Sequence, residues 1–229
     1  MSTRKDFLIA TSIATALTPA IALAAGPPQT AKTSAKIPPF VFDRTAFETL
    51  ISRNAEHRHS YAAVNSDNGH VLDAMTNVLN AYEESLGEKP ASVISAAVFY
   101  HGTSVGLGFN DRVWNELLIP AIPKMPKPVT ADLPPLKVGD GNPWLHKPKS
   151  GNYDSSIETL ATRGAIFLVC NNATTAFAYA LARVLDQPAT DVYTRLAGGL
   201  VANGMLVPAG VWAVHALQEA HFTYQQVTI

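Results

Sequence analysis

The chain has 229 residues, 47% of them hydrophobic, a formal charge of −1 and a single cysteine. That length and apolar content suffice for one α/β domain with a substantial core. The near-neutral charge excludes the basic face of a nucleic-acid binder, and one cysteine excludes a disulfide-stapled scaffold.

Residues 1–24 have the form of an export signal. Arg4 and Lys5 supply a positive start, Phe7 to Ala22 an apolar stretch, and Ala22-Leu23-Ala24 a small-x-small cleavage pattern. Thr3-Arg4-Lys5-Asp6-Phe7-Leu8 resembles the twin-arginine motif with Lys5 in place of the second arginine, and the ordinary secretory route fits as well. The expectation is a periplasmic protein cleaved near Ala24, with no stable membrane insertion after the signal is removed. Residues 25–39 are rich in Pro, Ala, Thr and Lys without periodicity and read as a flexible linker; 40–229 read as one domain.

Within that domain, Asp43 caps a short helix with Phe47, Leu50 and Ile51 on one side. Residues 60–64 form a short apolar strand, followed by the turn-forming Asn65-Ser66-Asp67-Asn68-Gly69. Val71, Leu72, Met75, Val78, Leu79 and Tyr82 then recur at helical spacing, up to Gly87. Residues 93–100 are a second strand. The glycines of His101-Gly102-Thr103-Ser104-Val105-Gly106-Leu107-Gly108 permit unusual backbone angles or close ligand approach. This loop lacks a dinucleotide fingerprint and Gly-Lys-Ser/Thr, so no cofactor is expected. Residues 111–118 predict a short helix.

Residues 119–150 hold eight prolines, among them Pro120, Pro123, Pro134 and Pro135, a density that excludes helix and inner strand. The stretch reads either as an insertion wrapping the surface, with Trp144 and Leu145 as anchors, or as a linker. A helix over 155–162, capped by Ser155 or Asp154, leads into the apolar strand 165–170. Thr174 is expected to cap the Ala/Leu-rich helix that ends at Leu185. A further short helix runs to Gly198-Gly199, then a strand at 205–207, a turn at Pro208-Ala209-Gly210, a helix over 211–220 with Val211, Val214 and Leu217 inward, and a terminal edge strand over 222–227. This alternation predicts an α/β, doubly wound, mostly parallel five-stranded sheet with helices on both faces.

Several residues fall at the carboxyl edge of that sheet, where ligands bind in such folds. Cys170 ends a strand just before a helix start, whose unpaired N–H groups favour a thiolate able to carry a persulfide or attack an electrophile. The opposing reading is a buried, inert cysteine. His101 follows the second strand and is a candidate base or orienting group. Asn65, Ser66, Gly102, Asn171, Asn172, Thr174, Pro208 and Gly210 are the remaining candidates for lining a ligand site, with turn chemistry as the alternative for most. His57 and His59 could place two imidazoles on one strand face for a metal, but no nearby third ligand is evident, so the signal is weak and no metal is assigned.

Two blocks carry a family resemblance. Gly164-Ala-Ile-Phe-Leu-Val-Cys170-Asn-Asn and Met205-Leu-Val-Pro-Ala-Gly-Val-Trp-Ala-Val-His-Ala-Leu-Gln-Glu-Ala-His-Phe-Thr-Tyr resemble the DsrE/DsrF-like family in order and spacing. The resemblance implies a flavodoxin-like fold, a sulfur-relay role centred on Cys170, a sulfur donor or acceptor protein as partner, and a homo-oligomer, trimer or hexamer. The sequence departs from the family at Asn171-Asn172-Ala173, where Gly and Thr are usual, and at His221, where Gly precedes the last strand. Two classes of function follow: a sulfur or persulfide carrier using Cys170, or a non-catalytic exported binding or assembly module in which Cys170 is structural.

Overall fold

A computed structural model describes residues 36–125, 133–146 and 153–227. The export signal, most of the predicted linker, and parts of the proline-rich stretch lie outside the described residues.

The elements are α1 (Arg44–Ile51), β1 (His57–Ala63), α2 (His70–Asn80), β2 (Val93–Phe99), a mixed helix α3 over 111–121, α4 (Ile157–Thr162), β3 (Ile166–Cys170), α5 (Asn171–Leu185), α6 (Ala189–Ala197), β4 (Gly204–Val207), α7 (Gly210–Glu219) and β5 (Thr223–Val227). The five strands are all parallel, in the order β4-β3-β2-β1-β5. This is a doubly wound, flavodoxin-like α/β fold.

The connections decide which helices share a face. From β1 to β4 the chain steps one way across the sheet, so right-handed crossovers put α2 to α6 on one face. The last connection steps back past β1, which sends α7 to the opposite face beside α1. The core divides accordingly. Tyr61, Ala97, Phe99, Phe167 and Val169 point into the first layer with Leu72, Met75 and Leu181. Ile94, Ala96, Val98, Ile166 and Leu168 point into the second with Phe47, Ile51, Ala213 and Leu217. Strands β2 and β3 are buried on both faces, hence the unbroken apolar run of β3 and a β2 that is apolar but for Ser95.

Several boundaries differ from the sequence expectation. β1 begins at His57, because pairing with Val93 extends the ladder beyond the apolar residues. Helix α4 is capped by Ser156, whose hydroxyl accepts from Thr159 N–H at 3.2 Å, while Asp154 supports the same turn by accepting from Thr159 Oγ1 at 2.6 Å. Val211 is 68% exposed and Ala213 occupies the core position, because α7 begins at Gly210. Packing also begins before Phe40. Ile37 is buried, and its N–H donates to the Tyr179 hydroxyl at 3.1 Å.

Helix α3 runs on into the proline-rich stretch. It is α-helical at Asp111–Val113, π-helical at Trp114–Leu118 and α-helical again at Ile119–Ala121, with Pro120 inside. Ile119 N–H reaches back five residues to Trp114 O. That offset turn displaces the carbonyls a proline ring would otherwise meet. The described residues beyond it are tied to their own chain. Asn142, 1% exposed, donates from Nδ2 to Leu107 O at 3.2 Å and Phe109 O at 2.6 Å. Trp144 packs edge-on against Trp114 with ring centres 5.7 Å apart. Among the described residues no helix is long and apolar enough to cross a membrane.

Candidate functional site

The neighbouring strands β3 and β4 are left in opposite directions. The chain leaves β3 through α5 on one face and leaves β4 through α7 on the other. Cys170, the last residue of β3, pairs in register with Val207, the last of β4. The two helices diverge above that pair, which is where an open α/β sheet offers a ligand site.

Cys170, and not Thr174, caps α5. With φ −67° and ψ 117°, it places Sγ 3.4 Å from Ala173 N, which donates to it. The sulfur therefore occupies the position a serine or aspartate oxygen takes in an ordinary cap. Thr174 is fully buried, and its hydroxyl donates back to Cys170 O at 2.9 Å. It thereby braces the first turn of the helix. Cys170 as a residue is 4% exposed.

The neighbouring amides differ in role. Asn171 is 8% exposed, and its Oδ1 accepts from the Tyr193 hydroxyl at 2.6 Å. That bond fastens α6 to the first turn of α5 and occupies an atom that the sequence assigned to a ligand. Asn172 points outward and is exposed. Pro208 is half-buried in the turn out of β4. Gly210 has a packing role: a Cβ there would lie 1.7 Å from Tyr100 Cβ. Only glycine lets α7 approach the end of β2 so closely.

A second group gathers at the ends of β1 and β2. Ser66 N–H donates to Thr103 Oγ1 at 3.0 Å, and Thr103 Oγ1 donates to Ser66 Oγ at 3.3 Å. Gly102 sits beside them with φ 48°. Asn65 Oδ1 is buried with no hydrogen-bond partner. Thr103 is the residue sequence reasoning missed; its only signal was its place beside Gly102. His101 is exposed, and its main chain is held by Ser104, whose Oγ donates to His101 O at 2.7 Å. His101 lies on the same sheet edge as Cys170, as expected. Among the described residues no hydrogen bond or ion pair joins its imidazole to the thiol.

The more prominent hollows lie elsewhere. One is lined by Asp43, Thr49, Arg53, Asn203 and Met205, between α1 and the start of β4. Another is lined by Asn110, His146, Glu158 and Asn203. Neither touches Cys170. Beside the second, His146 Nε2 meets Asp111 Oδ2 at 2.6 Å and Nδ1 faces Glu158 at 3.7 Å. The hydrogen bond to Asp111 is the main cause holding the His146 pKa above the ordinary imidazole value.

No family model matches the chain, and no curated protein does. Among solved structures it is similar to MTH1491 of Methanobacterium thermoautotrophicum, a protein of unknown function, at 15% identity over 75% of this chain and 99% of that one, with a TM-score of 0.39.

Proposed function

We propose that the protein is an exported sulfur carrier of DsrE-like type, with Cys170 as the acceptor. The observation that supports this reading is the position of Sγ: it caps a 15-residue helix at the carboxyl end of β3, beside the end of β4. A helix N-terminus favours negative charge by about 0.3–1 kcal/mol at exposed sites. The step needs no cofactor. The Cys170 thiolate attacks the outer sulfur of a donor persulfide, R–S–SH. The donor S–S bond breaks, a new S–S bond forms on Cys170, and R–SH leaves with the proton. The persulfide anion then sits where the α5 N–H groups point. In this reading the mature protein is periplasmic, works as a trimer or hexamer, and exchanges sulfur with a partner protein. His101, exposed on the same edge, orients the donor.

Burial favours a second reading. At 4% exposure Cys170 is as enclosed as a structural residue, and its hydrogen bond from Ala173 explains it as a cap alone. The protein is then a binding or assembly module. Iodoacetamide separates the two. The carrier reading predicts alkylation of the folded protein, slowed by burial. Alkylation only after denaturation would establish the structural role.

A further inference from the structure

The amino end of the sheet, opposite Cys170, holds a separate cluster. Glu56, His57 and Glu88 each present one ligand atom, and these atoms lie within 4.8 Å of one another. Glu56 and His57 stand at the start of β1, whereas Glu88 comes from the connection between α2 and β2.

Each member is held in place. Glu56 N–H donates to Ser92 O at 2.9 Å, and Glu88 N–H donates to Tyr82 O at 2.9 Å. Ser92 Oγ donates to a Glu88 carboxylate oxygen at 3.4 Å. The His57 ring stacks on Tyr82 with centres 4.2 Å apart, which fixes the plane of the imidazole. The arginine ion pairs of the described residues lie elsewhere: Arg44–Glu48, Arg163–Glu83 and Arg195–Glu116. Among the described residues no lysine or arginine forms an ion pair with Glu56 or Glu88, whose carboxylates converge on the imidazole. One step along the same strand face, His59 stands beside the same Tyr82 ring at 5.6 Å, and its Nε2 is buried without a hydrogen-bond partner.

We propose that Glu56, His57 and Glu88 bind one divalent transition-metal ion, zinc by their donor set. One imidazole nitrogen and two carboxylate oxygens make three protein ligands, with a fourth position open to water or to a ligand. Around a tetrahedral zinc at about 2.0–2.1 Å, donor atoms stand about 3.3 Å apart, so modest side-chain rotation closes the site. Calcium and magnesium select oxygen ligands and do not favour the imidazole. The other histidine flanked by two carboxylates, His146, is built differently. Asp111 and Glu158 meet opposite ring nitrogens, so those three do not converge on one point. An ion at the first cluster would tie the start of β1 to the α2–β2 connection, and ligands that bind only the folded chain stabilise it.

The test is a calorimetric zinc titration of the whole chain after chelator treatment, with native mass spectrometry for stoichiometry. One zinc per chain is expected. His57→Ala should abolish binding, and Glu88→Gln, which keeps the side-chain shape, should weaken it at least about tenfold. His146→Ala should bind as the wild type does. Calcium should not compete. Absence of zinc binding by the wild type, unchanged binding in both His57→Ala and Glu88→Gln, or equal calcium binding would each overturn the proposal.

Discussion

Gly210 lies against Tyr100 so closely that any side chain at 210 would overlap Tyr100 Cβ. This contact sets α7 over the end of β2. Gly210→Ala should therefore destabilise the fold by about 1–3 kcal/mol, the usual cost of overpacking. Urea unfolding measures this. A loss below about 0.5 kcal/mol would mean that α7 shifts freely and that the contact does not fix its position.

His221 adopts φ 64°, in the left-handed region. It is also the position where the resembled family has glycine. A left-handed L-residue costs about 1–2 kcal/mol, and glycine gives back about 0.5–1 kcal/mol of that in chain entropy. His221→Gly should therefore gain about 0.5–1 kcal/mol, whereas His221→Val, whose β-branched side chain tolerates the left-handed region less well than histidine, should lose stability. Equal thermal stability of the two variants would refute the strain argument.

Asn142 serves two main-chain carbonyls, Leu107 O and Phe109 O, while its Oδ1 accepts from Trp144 N–H at 3.0 Å. Asn142→Ala leaves buried groups without partners, each worth about 1–3 kcal/mol. A total loss of about 2–3 kcal/mol in urea is expected. A neutral substitution would show that this segment contributes nothing to the fold.

His146 gives the fold a pH dependence. Its raised folded-state pKa means that contact with Asp111 and Glu158 is stabilising below the ordinary imidazole value, about 6.5, and is lost as pH rises through the raised value. The ring is more than half exposed, so the effect should stay below about 1 kcal/mol. Wild type should exceed His146→Ala in stability at about pH 5.5, with the gap closing by about pH 8.5. A gap that widens with pH would reverse the assignment.

Much of the fold was legible because β2 and β3 are buried on both faces and are apolar throughout but for Ser95, as doubly covered parallel strands require. The helix through Pro120 was not, since a π turn solves a backbone problem that composition alone cannot show. Val211 was misplaced inward, while Leu217 and the partly buried Val214 face the core, because the inward line of α7 runs through Gly210, Ala213 and Leu217. At the site, the edge placement of Cys170, His101, Ser66 and Gly102 followed from strand ends alone. The cap by Cys170, the occupied amide of Asn171 and the bond through Thr103 needed coordinates, as did Glu88 beside His57, which the fold and not sequence spacing brings there.

The most direct test of the carrier reading is the intact mass of the folded protein after incubation with glutathione persulfide, alongside Cys170→Ala. The account predicts a gain of one sulfur atom on the wild type, removed by a thiol reductant and absent from the variant. An unchanged wild-type mass, with the same adduct forming once the chain is unfolded, would contradict it and leave Cys170 as a helix cap.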